Sequence, residues 1–180
     1  MDLAAGREKL SHRIAELRDC CTSKSPWVFL GAAAYVEYLA KLAGLSYKDF
    51  VSLRLALIRP EYAAFAYRSG KTDLPTQMYH VLRCGIVHSL SLIPDQRARN
   101  EGGRDRSIVL CHRQSDAVHL SSVSSTLVPD AALFVAEDFV DDLARATEQL
   151  FEDAVHDAAL ERRISEHLRQ HPLISGGFQF

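Results

Sequence analysis

Tyr79-His80-Val81-Leu82-Arg83-Cys84-Gly85-Ile86-Val87-His88-Ser89-Leu90 is an apolar, helix-like run with an arginine and a histidine in its interior. Charged side chains are rarely taken out of water without a partner. An Arg and a His separated by four residues can hold a phosphate and move a proton, which is the minimum equipment for cutting RNA without a metal. The spacing alone is not distinctive, since Arg7/His12, Arg106/His112, Arg113/His119 and Arg162/His167 also fit it. Those pairs lie in polar surroundings; the apolar setting singles out Arg83 and His88. On a regular α-helix they point about 140° apart. Either the helix ends or bends near Gly85, or a second copy of the chain completes the pair. The alternative is structural: Arg83 pairs with an acid such as Glu37 or Asp73, and His88 is a hydrogen-bonded core residue.

Working outward, residues 3–20 carry Leu3, Leu10, Ile14 and Leu17 at helical spacing with charges between them. Thr22-Ser23-Lys24-Ser25-Pro26 is a break before a second helix. That helix, over 27–43, is strongly apolar, holds Glu37 in its middle and ends at Gly44. Its Gly31-Ala32-Ala33-Ala34 patch would let a neighbour approach closely. A shorter helix over 47–58 is stopped by Pro60, helical residues follow at 61–68, and Ser69-Gly70-Lys71 is a turn. The motif helix then spans 74–92, and 95–105 reads as a polar loop. Residues 107–111 and 117–121 read as two strands of a small β-hairpin, inserted at about 106–121. A further strand is expected near 132–135 and a long helix over 136–160, with Phe139, Leu143, Ala146, Leu150, Phe151 and Ala154 as its buried stripe. A last helix lies near 158–169, and a flexible Gly-Gly tail follows over about 171–180. The fold class is therefore mainly α: a single helical domain over 1–180 with a β-hairpin before the last long helix.

With 180 residues, 47% hydrophobic and 24% charged, the chain can bury a sizeable core. A formal charge of −2 argues against coating nucleic acid through bulk positive charge. A local cationic pocket remains compatible with it. Cys20, Cys21, Cys84 and Cys111 show no C-x-x-C spacing, which points to a reducing cytoplasm. No secretory leader or membrane span is expected. Cys111, His112 and His119 lack a fourth ligand and finger spacing, so no metal or other cofactor is expected. No Gly-rich phosphate loop or nucleophile elbow occurs.

The run Leu82-Arg83-Cys84-Gly85-Ile86-Val87-His88-Ser89 resembles the signature of the HEPN superfamily: Arg, four to six residues, His. The apolar helix before it and the acidic amphipathic helix after it stand in the order of such bundles. The resemblance implies an up-down helical bundle and a homodimer whose paired motif helices build a metal-independent RNase site. It implies Arg83 as the phosphate-stabilising residue and His88 as general acid or base. Tyr79 and His80, about one turn before Arg83, are expected to line the same cleft and contact RNA, with His80 on the face of Arg83. The alternative is that His80 is an ordinary polar face residue. The resemblance further implies a toxin or antiviral-defence effector, with an antitoxin or defence-system protein as partner. The tyrosine that one branch places two residues past the histidine is Leu90 here, so control by a nucleotidyltransferase antitoxin is not implied. A two-fold interface would bury Val81, Leu82, Val87 or Leu90. The competing reading is a non-catalytic module that keeps the fold for dimerisation and binds a protein or nucleotide. Cys84 after the arginine and the Gly31–Ala34 patch favour it.

Overall fold

Leu10, Ile14 and Leu17 recur every third or fourth residue, and all three are buried on α1 (Leu3–Thr22). The computed structural model describes residues 3–70, 72–86 and 92–171. Helix α2 (Trp27–Ala43) stops where Gly44 takes the left-handed conformation, φ 70°. There the Leu45 N–H reaches back to the Ala40 carbonyl at 2.9 Å. The left-handed backbone is what calls for glycine here; a Cβ would meet only the Arg163 guanidinium, the movable end of a long side chain.

Ser46 caps α3 (Tyr47–Phe50) through the Asp49 N–H, and the chain continues through a π-helical turn, Val51–Leu55, into α4 (Ala56–Ile58). Helix α5 is Glu61–Ala64. The helix expected over 61–68 thus ends early: Phe65 turns extended, and Ala66 forms an antiparallel bridge to Asp73. Asp73 caps α6 (Leu74–Gln77), which runs directly into a π-helix over Met78–Ile86. Residues 95–105 are not only loop. Asp95 accepts from the Ala98 N–H and nucleates α7 (Gln96–Asn100), because an Asx side chain satisfies the first-turn donors.

The hairpin expectation is corrected. Strands β1 (Ile108–Cys111) and β2 (Ser122–Val123) do not pair with each other; both flank β3 (Ala131–Val135). β1 is parallel to β3, with Ile108 opposite Ala132 and Cys111 opposite Val135. β2 is antiparallel to it. β3 takes the centre because Ala131, Ala132, Phe134 and Val135 are all buried, as a strand covered on both faces must be. Within 117–121, Leu120 has φ 59°, which no regular strand tolerates.

Helix α8 (Ala136–His156) buries all six stripe residues, Phe139, Leu143, Ala146, Leu150, Phe151 and Ala154. The helix expected over 136–160 is interrupted at Asp157, whose carboxylate caps α9 (Ala158–Gln170) through the Ala159 and Leu160 N–H groups. Arg7 pairs with Glu148 and Arg18 with Asp141, so α1 and α8 run antiparallel. The four long helices share one hydrophobic cluster with the π-helix and the sheet. Gly31 faces Leu17 of α1 and Ala32 and Ala33 are buried, so these three residues of the small-residue patch pack inside the chain, while Ala34 is exposed. Among the described residues no single helix is long and apolar enough to cross a membrane.

Candidate nucleic-acid site around Arg83

Arg83 sits on the π-helix Met78–Ile86 and not on a regular α-helix, the winding to which the separation of about 140° belongs. His88 itself lies outside the described residues, as do Val87 and Leu90. Val81 and Leu82 are fully buried within the chain, so they are not available to an interface between copies.

Arg83 is half-buried. Its Nε donates to the Glu37 carboxylate of α2 at 3.1 Å, and Lys41, one turn further along α2, approaches the other oxygen of Glu37 at 3.9 Å. The Arg83 guanidinium lies 5.5 Å from the centroid of the Tyr79 ring, and Lys48 of α3 lies 5.4 Å from the same ring. Asp73, the other acid considered for Arg83, instead caps α6 through the Thr76 N–H. Arg83 also donates toward the Cys84 sulfur at 3.8 Å.

Tyr79, His80, Arg83 and Cys84 form one wall of a cavity of about 310 Å³. The opposite wall is α7 and its flanks: Asp95, Arg97, Ala98 and Glu101. The structure thus brings Tyr79, His80 and Arg83 to one cleft. The α7 wall was missed because 95–105 reads as polar loop. Its only signal was Asp95, a capping residue ahead of Gln96-Arg97-Ala98.

Two buried polar atoms border this region without a hydrogen-bond partner among the described residues: His80 Nε2 and Tyr47 Oη. His80 is 1% exposed. The nearest carboxylate oxygen, Oε2 of Glu101, is 4.0 Å away, beyond hydrogen-bond range. Burial first, and Lys48 second, push the His80 imidazole below its ordinary value, while Glu101 pulls the other way. Burial likewise raises the Tyr47 phenol, which stays neutral.

The loop after α7 is held tightly against this wall. The Gly103 N–H donates to the Ala98 carbonyl at 2.7 Å. A Cβ at Gly103 would meet that carbonyl oxygen and His80 Cβ, each at 2.9 Å. Gly103→Ala should therefore cost about 1–3 kcal/mol through overpacking against backbone. Denaturant unfolding checks it, and an unchanged midpoint would show that the loop does not bear on His80.

His112, His119 and Cys111 do not line this cavity. His112 Nδ1 lies 3.3 Å from Glu137, and His119 is sealed in a network with Tyr62 and Asp142. No three His, Cys, Asp or Glu side chains gather as a metal cluster among the described residues.

No family model matches this chain, and no curated protein or solved structure matches it.

Proposed function

We propose that this protein is a metal-independent endoribonuclease of HEPN type, acting as a homodimeric toxin or antiviral-defence effector. The observation that carries the reading is the cleft that places Arg83, His80 and Tyr79 on one wall. A guanidinium there can clamp phosphate oxygens as negative charge builds on them. His88, five residues on, is the residue type best suited to moving a proton as general acid or base. The ribose 2′-oxygen loses its proton and attacks phosphorus, the bond from phosphorus to the 5′-oxygen breaks, and the leaving oxygen is protonated. The products carry a 2′,3′-cyclic phosphate and a 5′-hydroxyl.

Incubation with RNA in EDTA tests this directly. Wild type should cut, and Arg83→Ala and His88→Ala should each lower the rate by about 100-fold or more. Intact RNA with wild type, or equal cutting by both variants, would overturn the assignment. Light scattering should report a dimer.

One observation favours the non-catalytic reading. Glu37 already neutralises Arg83 at 3.1 Å, so the arginine also serves to tie α2 to the π-helix. In that case a protein partner co-purifies stoichiometrically, and no RNase activity appears after its removal.

A further inference from the structure

The cleft beside Arg83 is lined by as much negative as positive charge: Arg83 and Arg97, but also Asp95 and Glu101. Charge alone therefore gives no net attraction for a bare phosphate. What the lining offers is hydrogen-bonding capacity that the chain does not use. His80 is 1% exposed, and its Nε2 has no hydrogen-bond partner among the described residues. A buried polar atom left unpaired is costly unless a ligand pairs with it. Oε2 of Glu101 faces it at 4.0 Å. A carboxylate has about four acceptor positions. Among the described residues Glu101 fills one of them, with Arg97 Nε on Oε1 at 3.2 Å.

We infer that this cleft is a specificity pocket for guanine, in which Glu101 and His80 read the Watson–Crick edge of a guanosine in single-stranded RNA. The inference rests on the ribonuclease reading above and names the base beside which that site cuts. A carboxylate oxygen 4.0 Å away favours the ring proton on Nε2, so a donor stands next to the acceptors of Glu101. Guanine is the one RNA base whose edge sets two N–H donors, at N2 and N1, beside an acceptor, O6. The two donors meet the Glu101 carboxylate, and O6 meets Nε2–H. Adenine, cytosine and uracil each offer a single donor position on that edge, which leaves a Glu101 oxygen without a partner or facing another acceptor.

The surroundings fit that ligand. Burial, and Lys48 second, keep the His80 ring neutral at pH 7, so it presents one donor and adds no charge. A base shows its Watson–Crick edge only when it is unpaired and splayed out, which selects a single strand over a duplex. A cavity of about 310 Å³ has room for one such base. Arg83 on the same wall clamps the phosphate of the same nucleotide. The reading edge is fixed in place from behind: Asp95 caps α7 through the Ala98 N–H, and the Gly103 N–H closes the far end on the Ala98 carbonyl at 2.7 Å.

The test is calorimetric titration of the full chain with ribonucleoside 5′-monophosphates, which hold no internucleotide bond to cut. GMP should bind about tenfold or more tighter than AMP, CMP or UMP. IMP, which is GMP without the 2-amino group, should bind about tenfold more weakly than GMP. Glu101→Gln, a change at a half-exposed side chain, should weaken GMP about tenfold and bring GMP and IMP level, a convergence that a merely structural role would not produce. His80→Phe should weaken GMP and IMP by the same factor, because both carry O6. Equal binding of the four nucleotides, or a preference for GMP over IMP that survives in Glu101→Gln, overturns the inference. Should His80→Phe fail to fold, the Glu101→Gln comparison decides alone. A parallel incubation of single-guanosine RNA in EDTA separates the two readings. Cutting without preference for the guanosine overturns the pocket and leaves the ribonuclease reading standing. Selective GMP binding with the RNA left intact keeps the guanine pocket, makes a free nucleotide its ligand, and removes the ribonuclease reading.

Discussion

Asp142→Ala should destabilise the protein by about 3–5 kcal/mol, the cost of leaving a buried charge partner uncompensated. Asp142, on α8, has a side chain only 2% exposed. It accepts from Arg59 Nε at 2.9 Å, from a second Arg59 nitrogen at 3.3 Å, and from the Tyr62 hydroxyl at 3.1 Å. The Tyr62 oxygen in turn lies 3.1 Å from His119 Nε2. Removing the carboxylate strands a guanidinium and a buried phenol together, and it unties the segment after α4 from α8. Asp142→Asn, which keeps the shape and one acceptor, should cost less, about 1–3 kcal/mol. Guanidinium unfolding at pH 7 measures both. A loss below 1 kcal/mol for the alanine variant would mean that the network is not holding the fold.

The second large effect is acid sensitivity through His119. The Val135 N–H donates to His119 Nδ1 at 3.0 Å, so that nitrogen carries no proton and Nε2–H must donate to Tyr62. Protonating the ring would set two N–H groups against each other at Nδ1. Burial, helped by Arg59, pushes the His119 imidazole down to about 3 in the folded chain. The unfolded chain takes up the proton near 6.5. Above pH 6.5 neither state is protonated and stability is complete. As pH falls from 6.5 toward 3 only the unfolded state gains the proton, so stability drops by about 1.4 kcal/mol per pH unit. His80 and His167, also lowered by burial, act in the same direction. Asp130 and Glu137, held below their ordinary values, add a loss only at still lower pH. The window from pH 6.5 to 5 therefore reads the histidines. His119→Asn keeps an acceptor for Val135 and removes the titration. Its stability between pH 6.5 and 5 should fall less steeply than wild type by nearly 1.4 kcal/mol per unit. Parallel slopes would remove His119 as the cause.

The amino-acid order by itself determined the long helices and their buried faces. Leu10, Ile14 and Leu17 on α1, and Phe139 through Ala154 on α8, recur at the helical period, and burying one stripe is a decision local sequence can encode. It also determined the end of α2, because a glycine after an apolar run is a local stop signal. It pointed to Arg83 and named Glu37 as a structural partner for it. Strand pairing was decided only by the tertiary structure. β1 and β2 are separated by a polar turn, which reads as a hairpin, yet β3 intervenes because its two apolar faces must both be covered. The π-helical winding of Met78–Ile86 has no mark in the periodicity of the run. The second wall of the cleft was beyond sequence as well. Arg97 and Glu101 face His80 because Asp95 turns the chain into α7 and Gly103 lets it lie against the π-helix, contacts between residues some twenty positions apart. Local periodicity encodes which face of an element is apolar; it carries no information on which element covers that face, and that choice is made only when the core closes.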